Sequence, residues 1–179
     1  NNELFKTVLK QRDKEEKIAP AERENIYNKL ADEIIGKYDI VSYGSTFYKF
    51  NGIYYKPMSD VDIDRIIHFE INKNVNKTGR GEIRDFIRIK TQVSINDFDK
   101  DWHKIACKNG ILNLVTTEIE EPNKSDINTI FIPYEYNPDP LYSPRIDQFM
   151  KEITDGDVTT MQYLYQIAGY FMLKKNLFE

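Results

Sequence analysis

The chain has 179 residues, of which 40% are hydrophobic and 30% charged, a balance typical of a folded globular protein and not of a disordered one. Its net charge of −4 argues against a protein that is basic throughout, although it leaves room for a local basic patch. No apolar run approaches the roughly 20 residues of a membrane-spanning helix, so no membrane partner is expected, and the single cysteine, Cys107, rules out an internal disulfide framework and favours a reducing, cytoplasmic compartment.

Two helices are predicted before residue 40. The apolar side chains of residues 4–9 fall on one helical face. Pro20 suits the first position of a second helix, and Gly36 suits the cap at its C-terminal end. The apolar stripe of this second helix consists of Ile26, Tyr27, Leu30, Ala31 and Ile34.

Residues 39–57, which read DIVSYGSTFYKFNGIYYKP, predict a three-stranded antiparallel meander with turns at Gly44-Ser45 and Asn51-Gly52. The Asn-Gly pair favours a type I′ turn of two residues, because both central residues of that turn need positive φ. Two further helices are predicted after the meander, one capped by Ser59 and one over residues 80–90, with a polar linker between them.

The second half of the sequence predicts a small antiparallel sheet and a closing pair of helices. Asn109-Gly110 is a second Asn-Gly turn, Ser143-Pro144 starts one closing helix, and Asp155-Gly156-Asp157 turns into the other. The predicted strands are 105–108, 111–114, 118–120 and one that begins at Ile127.

These elements predict an α+β fold in two parts. The first part, residues 1–95, contains the N-terminal helices, the three-stranded antiparallel meander and a basic helix. The second part, residues 96–179, contains the small antiparallel sheet and the C-terminal helix pair, which would form a helical collar.

The stretch SDVDIDR places three aspartates, Asp60, Asp62 and Asp64, within five residues. A calcium loop would need glycine at its sixth position and glutamate at its twelfth, where this chain has Arg65 and Ile71. Carboxylates in the first turn of a helix are favoured by the helix dipole alone. We therefore predict no metal site and no catalytic residue here, while a metal-dependent nucleotidyl enzyme that uses the three aspartates stays open as a hypothesis.

A basic segment runs from Lys73 to Lys90, with six Lys or Arg against two acidic residues. Its arginines recur every four residues and so form one stripe along the predicted helix, which suits phosphates spaced along a nucleic-acid strand. The alternatives are a solvated face with salt bridges to Glu82 and Asp85, or a protein partner. The candidate nucleic-acid-binding residues are Lys77, Arg80, Arg84, Arg88 and Lys90.

The second half also carries an ordered set of short motifs. The motifs are Asn109–Leu114, Thr116-Thr117, Ile132–Tyr136, the proline-rich loop Pro138–Pro144, and Gly169-Tyr170. In this order and spacing the set resembles the segment that precedes the ATPase of phage- and plasmid-type primase–helicases, and the related segment of the poxvirus primase–helicase. The resemblance covers about residues 24–179.

The resemblance implies a superfamily-3 helicase ATPase immediately after Glu179, where ATP and Mg²⁺ would bind, and no cofactor in this segment. It implies a non-catalytic collar that positions single-stranded or forked DNA and helps to organise a ring during replication of a phage or mobile element. The ribbon around Asn109-Gly110 would then be architectural. The alternative is a stand-alone winged-helix-like DNA-binding regulator, with helices 59–72 and 80–90 as a helix–turn–helix pair.

Overall fold

The computed structural model describes residues 20–71, 75–139 and 143–174, and the chain divides into two compact units, Asn1–Asp97 and Phe98–Glu179. The described elements confirm the α+β class. The helix predicted around residues 4–9 lies outside the described residues. None of the described helices combines the length and the apolar character that crossing a bilayer requires.

The first unit consists of a meander covered by three helices. Its strands pair in chain order, β1-β2-β3, and every pairing is antiparallel as predicted. The core joins Phe47 of the central strand to apolar side chains from all three helices, such as Ile63 and Ile83. The elements are α1 (Pro20–Lys37), β1 (Ile40–Tyr43), β2 (Thr46–Phe50), β3 (Tyr55–Met58), α2 (Asp60–Glu70), α3 (Lys77–Lys90) and a short 3-10 helix (Ile95–Asp97).

Side-chain caps fix where α2 and α3 begin. Ser59 and Asp62 form a capping box, in which the Asp62 amide donates to Ser59 Oγ and the Ser59 amide donates to Asp62 Oδ2. The Asn76 side chain accepts a 2.9 Å hydrogen bond from the Gly79 amide. Because Asn76 is a cap, α3 begins at Lys77, three residues before the predicted start.

Two predicted turn features of the first unit are wrong. Gly36 lies inside α1, which continues to Lys37. The β2–β3 loop has four residues, Asn51 to Tyr54, instead of the predicted two. Asn51 holds this longer loop, because its side-chain oxygen accepts hydrogen bonds from the amides of both Ile53 and Tyr54.

The residues that follow α3 extend the meander instead of forming a simple loop. The amide of Ser42 donates to Thr91 O, and the amide of Val93 donates to Ser42 O. These bonds form a parallel bridge between Ser42 and Gln92 along the free edge of β1. The buried Ser42 hydroxyl also donates to Arg88 O, so the end of α3 is tied to the sheet.

The second unit is built on a four-stranded sheet with strand order β6-β5-β4-β7. The sheet is mixed, and not antiparallel throughout as the sequence predicted, because β7 pairs with β4 in parallel at Ala106–Phe131 and Cys107–Ile132. The predicted strand from Ile127 is confined to two residues. The elements are β4 (Lys104–Cys107), β5 (Gly110–Asn113), β6 (Glu118–Glu120), β7 (Phe131–Ile132), α4 (Pro144–Ile153) and α5 (Val158–Tyr170).

The Asn109-Gly110 pair has a different role from the predicted one. Cys107 pairs with Gly110, so the turn residues are Lys108 and Asn109, and Gly110 is the first residue of β5, with φ of 140°. A Cβ on Gly110 would lie 2.9 Å from the carbonyl oxygen of Glu120 on the neighbouring strand. The glycine is therefore required by the close approach of β6 and by its own backbone conformation.

The Asn109 side chain also connects two parts of the chain. Its Nδ2 donates to the carbonyl oxygen of Tyr136 at 2.8 Å, and the Tyr136 amide donates to its Oδ1 at 3.0 Å. The side chain thus mimics a backbone partner for Tyr136 and fixes the segment after β7 against the turn.

Candidate nucleic-acid interface

The basic helix α3 is sharply divided into an apolar and a charged side. Ile83 and Ile87 are fully buried in the core of the first unit. Gly79 also faces inward, because an added Cβ would lie 2.5 Å from Val75 Cγ1 and 2.6 Å from Tyr27 Oη. The predicted arginine stripe, Arg80, Arg84 and Arg88, lies beside this buried face. From there Arg84 and Arg88 contact the neighbouring helix α2.

Arg84 and Arg88 are ion-paired with α2. The Arg84 guanidinium lies 3.1 Å from Asp64 and 3.7 Å from Asp60, and the Arg88 guanidinium lies 3.2 Å from Asp60. Arg88 also pairs with Asp85 at 2.9 Å. The two arginine side chains are only about one-quarter exposed (24% and 25%), so these contacts form an inter-helix network.

Arg88 has a second tie to the core. Its guanidinium carbon lies 4.8 Å from the centroid of the buried Phe47 ring, a cation–π contact. The Nε atoms of Arg84 and Arg88 are buried and have no hydrogen-bond partner among the described residues. Both side chains therefore help to hold α2, α3 and β2 together.

The three aspartates of SDVDIDR have two different roles. Asp60 and Asp64 face the arginines and are charge partners of the basic helix, whereas Asp62 accepts hydrogen bonds from Ser59, which lower the pKa of its carboxyl group. Within residues 20–71, 75–139 and 143–174, no group of three or more His, Cys, Asp and Glu side chains could hold a metal ion.

The other three candidate residues differ in the ion pairs and hydrogen bonds that their side chains make with the rest of the fold. Lys90 lies 2.6 Å from Asp32 on α1. Arg80 donates to the carbonyl oxygen of Val75 at 2.9 Å. Lys77 is exposed at the first position of α3 and has no ion-pair partner in the part of the chain that the structure describes. The end of α3 that offers free positive charge is therefore its N-terminal end.

The helix pair of the second unit presents a large apolar surface. Neither α4 nor α5 has a buried residue, and α5 carries no charged side chain over its whole length. Phe171, which follows α5, is 78% exposed. The exposed large apolar residues of this surface are Ile146, Phe149, Ile153, Val158, Tyr163, Tyr165, Ile167, Phe171 and Met172.

A buried lysine ties the chain after α5 to two loop residues, Asp99 and Asn128, which lie next to the isolated bridge between Phe98 and Ile127. Lys174 Nζ lies 2.8 Å from Asp99 and donates to Asn128 Oδ1 at 2.6 Å, and its side chain is 1% exposed. Burial opposes ionisation of Asp99, but hydrogen bonds from Lys174 and Thr129 outweigh this effect, and the pKa of Asp99 is lowered. No signal in the sequence marked this cluster.

Comparison with known proteins gives one finding. A family model described as "D5 N terminal like" matches residues 10–155, which is more than half of the chain. The matched region contains the meander, the inter-helix ion pairs, the whole four-stranded sheet and α4. No curated protein matches the chain.

Proposed function

We propose that this chain, which belongs to the D5 N-terminal-like family of primase–helicase proteins, is a non-catalytic collar that organises a ring and positions DNA during replication of a phage or mobile element. ATP and Mg²⁺ would act in an ATPase domain of the parent protein. A reducing, cytoplasmic location agrees with the single thiol, Cys107, which is free and buried.

The exposed helix pair is the observation that carries the ring proposal. No charged side chain interrupts α5, and large apolar patches on a protein surface mark association sites. Aromatic residues such as Phe149 and Tyr163 are enriched in the cores of such interfaces. In the proposed ring this patch docks on a different surface of the neighbouring copy, and repetition of that head-to-tail contact with a closing rotation generates the ring.

Sedimentation velocity of the parent protein tests this proposal. Phe171→Glu should dissociate the assembly, because a carboxylate would be buried without a partner. Phe69→Glu is the matched control, since Phe69 is 77% exposed on α2 of the first unit and Phe171 is 78% exposed. Equal sedimentation coefficients for the wild type and both variants would overturn a role of the helix pair in assembly.

DNA positioning is proposed for the basic helix α3, and its N-terminal end is the part best placed for it. Lys77 is exposed there, and Arg80 lies one turn further on with a single backbone hydrogen bond. Contacts by Arg84, Arg88 and Lys90 would require a phosphate to compete with their carboxylate partners.

Fluorescence anisotropy with single-stranded and forked DNA tests the DNA contact. Lys77→Glu combined with Arg80→Glu should weaken binding and reduce its salt dependence, since the slope falls with each phosphate that the protein no longer neutralises. Unchanged binding would remove α3 from the interface. A preference for a palindromic duplex would instead support the alternative, a winged-helix-like regulator, although the face of α3 that carries Arg84 and Arg88 lies against α2.

A further inference from the structure

A groove of about 570 Å³ lies at the end of the meander where the four-residue loop joins β2 to β3, on the side that α2 approaches. We call it the lysine groove, and it is lined by Lys49, Phe50, Asn51, Lys56, Pro57, Met58 and Asp62.

Two lysines face each other across this groove. Lys49 of β2 lies opposite Lys56 of β3 in the antiparallel register. The Cβ atoms of directly opposed residues are about 4.5–5.5 Å apart, and like charges in such a pair are destabilising. Neither lysine has an ion-pair partner among the described residues; Lys49 Nζ instead lies 4.6 Å from the centroid of the Tyr38 ring.

The acidic side chain in the groove does not neutralise this pair. Asp62 Oδ2 accepts hydrogen bonds from the Ser59 amide at 2.9 Å and from the Ser59 hydroxyl at 2.7 Å. Its closest cation is Arg65, at 3.9 Å, while Lys56 acts on Asp62 over a longer distance and also lowers the pKa of its carboxyl group. Two ammonium groups against one engaged carboxylate leave the groove positive.

A purely structural role explains only half of this arrangement. Lysine on an edge strand prevents pairing with a second sheet, and β3 is an edge strand, so this role would account for Lys56. Lys49, however, lies on β2, the central strand, where no edge needs protection. The Tyr38 ring accounts for the position of the Lys49 ammonium group, but it does not offset the repulsion between the opposed lysines, which an anion bound by both would do.

We propose that the lysine groove binds a backbone phosphate of a single-stranded polynucleotide, with Lys49 and Lys56 contacting the same phosphate. The proposal rests on the DNA-positioning role proposed above and adds a second contact point to it, on the meander instead of on α3. Both lysines reach the groove from hydrogen-bonded strands, so they can bind without disturbing an ion pair of the fold.

The test measures binding of labelled oligothymidylate of about 20 nucleotides to the full chain between about 50 and 200 mM salt. Lys49→Gln/Lys56→Gln should lower the affinity on the order of tenfold at the lower salt concentration and reduce the slope of log K against log salt by about 0.7, because both lysines contact one phosphate. The control is Lys29→Gln/Lys151→Gln, which removes the same charge from two exposed positions.

The thermal transition separates binding from folding. Removal of the like-charge pair should leave the melting temperature of Lys49→Gln/Lys56→Gln unchanged or higher, so weaker binding by this variant cannot be due to unfolding. Wild-type affinity in this variant would overturn the lysine groove and leave DNA positioning by α3 intact. Absence of binding by the wild-type chain itself would overturn DNA positioning altogether. Competition by thymidine monophosphate as effective as that by the oligonucleotide would show a mononucleotide site and overturn the polynucleotide assignment.

Discussion

Replacing Arg84 by glutamate should destabilise the first unit, because its guanidinium is a contact of the fold. The change removes the pairs with Asp64 at 3.1 Å and Asp60 at 3.7 Å and places a third carboxylate beside them. Partly exposed pairs are worth about 0.2–1 kcal/mol each, and repulsion of like charges is of similar size, so we expect a loss of roughly 1–3 kcal/mol. For a unit of this size that corresponds to a fall in melting temperature of about 5–20 °C.

Thermal denaturation followed by circular dichroism measures this effect. Lys77→Glu is the control on the same helix, and it should raise stability slightly, by about 0.3–1 kcal/mol, because a carboxylate is favoured at a helix N-terminus. DNA binding of both variants is then measured well below their transitions. An unchanged melting temperature for Arg84→Glu together with a loss of DNA binding would refute the reasoning and make Arg84 a phosphate ligand.

Three further predictions concern glycines and the buried lysine. Gly110→Ala should cost about 2–4 kcal/mol in urea unfolding, because the methyl group would meet Glu120 O and the positive φ is unsuitable. Gly81→Ala should instead add about 1 kcal/mol, since its Cβ meets nothing in α3, and a loss of stability there would contradict the packing described. Asp99→Asn should cost about 3 kcal/mol by leaving Lys174 buried without a counter-charge. The pKa of Asp99 is held below its ordinary 3.8, so its contribution is present above about pH 4 and is lost as the pH falls further; a urea midpoint with the same acid dependence in Asp99→Asn would exclude this cause.

Local sequence patterns predicted the start of a helix correctly where one nearby residue determines it. Ser59 caps α2, Pro144 opens α4 and Asp157 caps α5, as expected from residue type alone. Ser143 makes no side-chain cap bond, so the proline alone marks that start. The order and antiparallel pairing of the meander strands also followed from the sequence, whereas the length of the second turn did not.

Contacts distant in sequence were beyond these patterns. Asp60 and Asp64 are four residues apart on α2, and Arg84 and Arg88 are four apart on α3, so the two periods match once the helices lie side by side. Sequence alone presents the aspartates and the arginines as two separate motifs. Comparing the charge spacing of consecutive helices would have suggested the network.

The wrong length predicted for the β2–β3 loop also affected what could be inferred about the lysine groove. A two-residue turn at Asn51-Gly52 would place Lys56 opposite Phe47, whereas the observed four-residue loop places it opposite Lys49. Register in a hairpin depends on loop length, so this error concealed the opposed lysines. The Asx hydrogen bonds of Asn51, which lengthen the loop, compete with the type I′ turn for the same residue.

The buried pair of Asp99 and Lys174 has a consequence for the order in which the protein is made. Lys174 follows Asp99 by 75 residues, so at about 5–20 residues per second the aspartate is synthesised roughly 4–15 s before its partner. In the same cluster Asn128 accepts a hydrogen bond from Lys174, and the Thr129 amide donates one to Asp99. This polar cluster can therefore be completed only after α5 has been translated, because Lys174 follows that helix.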